Sequence, residues 1–113
     1  MSQSPARGKL PVEWVSADII RKIFNDGQYY EQVKAGRMLA AVSPRNSHPD
    51  PAPEGEPYCT HSQIVHYYNA ELKLVAIVHQ YLRPDGTLGR SGRPDPKRII
   101  FEDKIISLRS DAP

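Results

Sequence analysis

His79, Tyr81 and Arg83 stand two residues apart at the end of an apolar run, immediately before a loop rich in Gly, Pro and Arg. On an extended strand, side chains two apart share a face and lie about 7 Å from one another. The spacing therefore lines up a proton carrier, a hydroxyl and a fixed cation. Imidazole exchanges a proton near neutral pH. A guanidinium holds phosphate through a planar fork of donors and stabilises developing negative charge. A phenol donates a hydrogen bond or stacks on a base. The set suits an anion or a phosphodiester. Metal-independent RNA cleavage needs a base for the 2′-hydroxyl, a cation for the crowded phosphorane and an acid for the leaving oxygen. His79 or His61 can supply base or acid, and Arg83 with Arg93 or Lys97 the cation. Half-buried strands also end in such residues for solubility alone, so the set by itself fixes no reaction.

The loop that follows, GTLGRSGRPDPK from Gly86 to Lys97, has glycines three apart. That spacing is neither the dinucleotide fingerprint nor a Walker loop, but glycines let backbone N–H groups approach a phosphate. Arg90, Arg93 and Lys97, with His61, make up the expected anion- or RNA-binding set. Pro94 and Pro96 stiffen the return into the next strand. Residues 83–98 carry five cations (Arg83, Arg90, Arg93, Lys97, Arg98) against Asp85 and Asp95, a local +3 in a chain of net +2. Such a patch on a near-neutral chain implies one anionic contact rather than a polyelectrolyte coat.

Other chemistries are poorly served. Cys59, His61, His66 and His79 fall near one another, but C-x-H-x4-H matches no zinc pattern, and His66 lies off the face of Cys59 and His61 on a regular strand. No metal and no cofactor are expected. Nothing in the sequence lowers the Cys59 thiol pKa. A single cysteine excludes an internal disulfide and fits a reducing compartment. The first residues lack an apolar run, and the longest such run, 74–78, is too short to cross a bilayer. The expected location is cytoplasmic, away from membranes.

The elements that must position these residues are legible in outline. A chain of 113 residues has room for one core. We expect tails at 1–9 and 110–113 and a single domain at 10–109. Residues 10–15 read as a short edge strand because Pro11 bars a central position. Ser16 reads as an N-cap, and Ile19, Ile20, Ile23 and Phe24 predict an amphipathic helix over 17–25. Gly27 is expected to end it in a left-handed conformation. Tyr29, Tyr30 and Val33 predict a second short helix closed by Gly36, or else 28–33 is extended, and 37–42 reads as a strand. Residues 43–57 hold five prolines and no large apolar side chain, the composition of a mobile surface loop. Residues 59–68 and 72–83 read as a hairpin around 69–71. A three-residue loop pairs His61 with His79, and a two-residue loop pairs Thr60 with it. Leu72, Leu74, Ala76, Val78 and Leu82 then face the helix. Lys73, Val75, Ile77, His79, Tyr81 and Arg83 take the other face. Residues 98–101 and 104–108 are the last strands. The outcome is an α+β domain, with one or two N-terminal helices on one face of a mostly antiparallel sheet of about four to five strands.

Two functions fit. One is a small RNA-acting or RNA-binding domain; as an enzyme it would be a metal-independent endoribonuclease with His79, Tyr81 and Arg83 catalytic and Arg90, Arg93, Lys97 and His61 binding the anion. The other is a non-enzymatic interaction module, adaptor-like or immunity-like, binding a protein or a second copy of itself through a sheet edge or a Tyr-rich surface around Tyr29, Tyr30 or Tyr67. The expected architecture is similar to the small helix-plus-sheet ribonuclease toxins of bacteria, which also put basic, His and Tyr residues on an open sheet face. It is a likeness of outline that immunity and adaptor proteins share.

Overall fold

The computed structural model describes residues 10–43, 55–101 and 103–113. The expected N-terminal tail, and most of the Pro-rich segment expected to be mobile, lie outside the described residues. Two helices and six strands follow in the order β1 (Val12–Val15), α1 (Ala17–Asp26), α2 (Tyr29–Lys34), β2 (Leu39–Val42), β3 (His61–Tyr68), β4 (Leu74–Leu82), β5 (Asp95–Ile100) and β6 (Ile105–Leu108). A 3-10 turn, Arg109–Asp111, follows β6.

Ser16 caps α1 as expected, its hydroxyl accepting from the Ile19 N–H at 3.3 Å. Asp18 in the first turn favours the dipole. Ile20 and Phe24 are fully buried on the inner face. The end of α1 differs from expectation. Gly27 is right-handed at φ −81, and the left-handed residue is Gln28 at φ 55. Glycine is needed at 27 for space: a Cβ there would lie 2.5 Å from the Tyr29 ring, which stacks on Phe24 with centroids 5.5 Å apart. Residues 29–34 are helical, and Gly36, at φ 82, takes the chain out of α2.

The strands form one mixed sheet in the order β1-β6-β5-β4-β3-β2. Every pair is antiparallel except β1 with β6. There are six strands, not the four to five expected, because even the four-residue runs at each end find a partner. Val65 and Tyr67 of β3, Ala76 and Val78 of β4, and Ile99 of β5 form the core with Ile20 and Phe24 of α1. Both helices thus cover one face. No helix among the described residues is long and apolar enough to cross a membrane.

Two irregularities set the register. The hairpin loop holds five residues, with Tyr68 opposite Leu74. Asn69 shapes it: its side-chain oxygen accepts from the backbone N–H groups of Glu71 (2.9 Å) and Lys73 (3.0 Å), while Leu72 takes φ 64. Leu72 is therefore a loop residue, 70% exposed, and not the start of the strand. Since Tyr67 pairs with Ala76 and Tyr68 with Leu74, Val75 is an extra residue on β4, and it packs against the core instead of facing away. A second bulge lies between β4 and β5, where Ile77 pairs with Arg98 and Val78 with Pro96, leaving Lys97 as the extra residue. A proline inside a central strand belongs at such a bulge, and Pro96 is fully buried there.

Candidate functional site

His79 lies on the helix-free face of the sheet, opposite Ile64 of β3 and Asp95 of β5. Both expected pairings of His79, with His61 and with Thr60, are therefore replaced. The loop is longer than two or three residues, and its bulge moves β4 along β3. His61 lies opposite Leu82, and by strand alternation it shares the core-side face with Val65 and Tyr67. It does not join His79.

His79 is half-buried. Its Nε2 is 2.8 Å from the Ser62 hydroxyl, and its ring meets Tyr81 edge-on with centroids 4.7 Å apart. Burial, with the Lys97 ammonium adding to it, holds the imidazole pKa below its ordinary value; the Asp95 carboxylate pulls weakly the other way. The ring is thus neutral at physiological pH and able to accept a proton. The Arg90 guanidinium lies 6.0 Å from the Tyr81 ring centre, within cation–π range.

Arg83 turns elsewhere. Its Nε and Nη2 donate to the two Glu56 oxygens at 2.8 and 3.4 Å, and its Nη1 donates to Thr87 Oγ1 at 3.5 Å. The Glu56 side chain is only 6% exposed and also accepts from the Arg90 N–H at 2.9 Å. The Arg83 guanidinium holds that carboxyl below the usual range, with the Arg90 N–H second. Gly89 leaves room for it, since a Cβ there would lie 2.7 Å from Glu56 Oε1. The glycine loop thus cradles an anion belonging to its own chain. Its glycine N–H groups are taken as well: Gly86 N–H by the Arg83 carbonyl, Gly89 N–H by that of Tyr81, and Gly92 N–H by that of Gly89.

The remaining candidates converge. β4 continues past the first residue of β5, while the chain before Asp95 turns toward the helices. There Arg93 donates to Glu31 at 3.0 Å and to Asn25 at 3.1 Å, its guanidinium 5.3 Å from the Tyr30 ring centre. The gap is a cleft of about 580 Å³ lined by His79, Tyr81, Arg90, Arg93 and Lys97, together with Arg21 and Asn25 of α1 and Asp95. Five of the seven expected site residues meet there; Arg83 and His61 do not line it. Asp95 is shared loosely by Arg21 (4.0 Å) and Lys97 (3.8 Å). A second cavity of about 540 Å³, lined mainly by apolar residues, lies between α2, β2 and residues 86–92. Among the described residues no three His, Cys, Asp or Glu side chains gather as a metal site would require.

Sequence reasoning missed Ser62, Arg21, Asn25 and Glu56. Ser62 reaches His79 only through the true register, and Arg21 and Asn25 are exposed helix positions with no local signal. Glu56 was hidden in a segment whose composition reads as loop. Comparison of the chain with family models, with curated proteins and with solved structures finds no match to any of them.

Proposed function

We propose that this protein is a small RNA-binding domain whose cleft takes one nucleotide of a single strand, and that His79 equips it for metal-independent cleavage. The gathering of His79 and Tyr81 with Arg90, Lys97 and Arg21 around one cleft carries the proposal. The Tyr81 ring, with the Arg90 guanidinium 6.0 Å over it, offers a stacking surface for a base between ring and guanidinium. Lys97 and Arg21 lie loosely on Asp95, and Arg21 also pairs with the exposed Asp18, so a phosphodiester can take the place of these carboxylates on the two cations. In cleavage, neutral His79 accepts the 2′-hydroxyl proton, the oxygen attacks phosphorus beside the cations, and the Tyr81 hydroxyl protonates the departing 5′-oxygen. Arg83, neutralised by Glu56, shapes the loop instead of touching the phosphate.

The test is a labelled single-stranded RNA followed by anisotropy and on denaturing gels. Wild type is expected to bind and cut. Tyr81→Ala is expected to lose about 5- to 150-fold in affinity, the ~1–3 kcal/mol of one stacked base. His79→Ala is expected to bind without cutting. Absence of affinity at low salt, or affinity indifferent to Tyr81→Ala, refutes the proposal.

One observation favours the interaction module as a second reading. Edge strand β2 has the sequence LAAV, with Leu39 56% and Val42 44% exposed, and it carries neither the charge nor the proline that guards sheet edges. The Tyr-rich surface is not available to that reading, since Tyr67 is buried and Tyr29 and Tyr30 pack against the core. A salt-insensitive dimer by sedimentation, with no affinity for RNA, would support it.

A further inference from the structure

The hydroxyl already seated on His79 belongs to the protein. Ser62 lies on β3 opposite Tyr81 of β4, and His79 is the next residue along that face of β4. Asp95 lies opposite His79 on β5. Serine, histidine and aspartate thus occupy three neighbouring strands on one face, and the serine–histidine contact is 2.8 Å. Nucleophile and base within hydrogen-bond reach, with a third group acting on the base, is the arrangement that activates a serine. Here Asp95 acts on His79 through charge, its oxygens being shared with Arg21 and Lys97.

We infer that Ser62 is a nucleophile served by His79, attacking phosphorus electrophiles that enter the cleft beside it. Ser62 Oγ forms a bond to phosphorus as its proton passes to His79 Nε2. The bond from phosphorus to the leaving oxygen breaks, and the imidazolium returns the proton to that oxygen. A phosphoserine ester is left for water to hydrolyse. The substrate class is a phosphodiester, because the cleft that His79 and Tyr81 line also holds Arg21 of α1, Lys97 of β5 and Arg90 and Arg93 of the loop against the carboxylate of Asp95, with Lys97 and Asp95 acting on the His79 ring by charge. The inference rests on the cleft as a phosphate site but not on RNA as its ligand.

The probe is a fluorophosphonate, in which fluoride is the leaving group and only the first half of the sequence occurs. The full chain is incubated with it, weighed intact and mapped by peptide. The expected result is a single adduct on Ser62. Ser62→Ala is expected to abolish it, and His79→Gln to slow it at least tenfold, with circular dichroism confirming that both variants fold. The wild-type labelling rate is expected to rise with pH through a value below 6.5, the ordinary histidine pKa, as His79 loses its proton. No adduct, an adduct on another residue, or labelling as fast in His79→Gln as in wild type overturns the inference. An excess of single-stranded RNA separates the two proposals: Ser62 labelling that RNA does not slow retires the RNA reading and leaves the nucleophile standing.

Discussion

Salt dependence of RNA affinity separates the cations free to meet phosphate from those already held inside the fold. Arg83 is neutralised by Glu56 and Arg93 by Glu31. Arg90, whose guanidinium lies over the Tyr81 ring, Lys97, 3.8 Å from Asp95, and Arg21, 4.0 Å from Asp95 and paired at 3.2 Å with the exposed Asp18, remain, since loose surface pairs of this kind yield to phosphate. Three phosphate contacts on a single strand correspond to a slope of about −2 in log affinity against log salt, or roughly a 20-fold loss between about 50 and 200 mM. Anisotropy titrations of a labelled oligonucleotide at four or five salt concentrations measure it. Lys97→Gln is expected to lower the magnitude of the slope by about 0.7, and Arg83→Gln to leave it unchanged. A flat slope refutes phosphate binding in the cleft. A slope of about −3.5, the value for five contacts, or an equal reduction in both variants, refutes the division between held and free cations.

Three further outcomes follow from the packing. Phe24 is fully buried between Tyr29 and Tyr67, so Phe24→Ala is expected to cost about 3–5 kcal/mol in urea unfolding. His79 has a folded pKa below its unfolded one because burial disfavours the charged ring. Its unfolded form therefore takes up the proton first as pH falls. Stability is expected to decline from about pH 6.5 downward until the folded His79 also protonates, and unfolding curves at several pH values should show His79→Gln with a shallower decline in that window. Gly89→Ala places a methyl against the Glu56 carboxylate and is expected to release the Arg90 amide, seen as at least tenfold faster hydrogen exchange at that position.

Local chemistry was legible where one residue decides the outcome. Ser16 as a cap and Ile20 and Phe24 as the buried stripe follow from helical spacing and a hydroxyl in the right place. The opposite faces of Tyr67 and Tyr68 follow from strand alternation. The register of β3 on β4 was not legible. It depends on the Asn69 side chain holding two backbone N–H groups and on one extra residue in β4, and neither leaves a hydrophobic signal. A slip of that kind changes every cross-strand neighbour, which is why Ser62, not His61, meets His79. Arg83 shows the other limit. Alternation puts it in line with His79 and Tyr81, but a carboxylate 27 residues away in sequence decides where its guanidinium goes. Charge counting over residues 83–98 could not register that acid.

The place of β6 between β1 and β5 has a consequence for synthesis on the ribosome. α1 leaves the ribosome before β5 and β6, the strands it packs on. From Asp26 to Leu108 is 82 residues, which at ~5–20 residues per second takes about 4–16 s. For that interval α1 lacks its contacts with β5 and β6, although Phe24 meets Tyr67 of the earlier β3, and β1 waits for β6, the strand it pairs with. The nascent chain presents a partly covered amphipathic helix until β5 and β6 emerge. It then closes in a late, non-local step of the kind that slows folding, so a holdase that binds apolar helical stripes is expected to engage the chain before its C-terminal strands are made, and to lose it once they are.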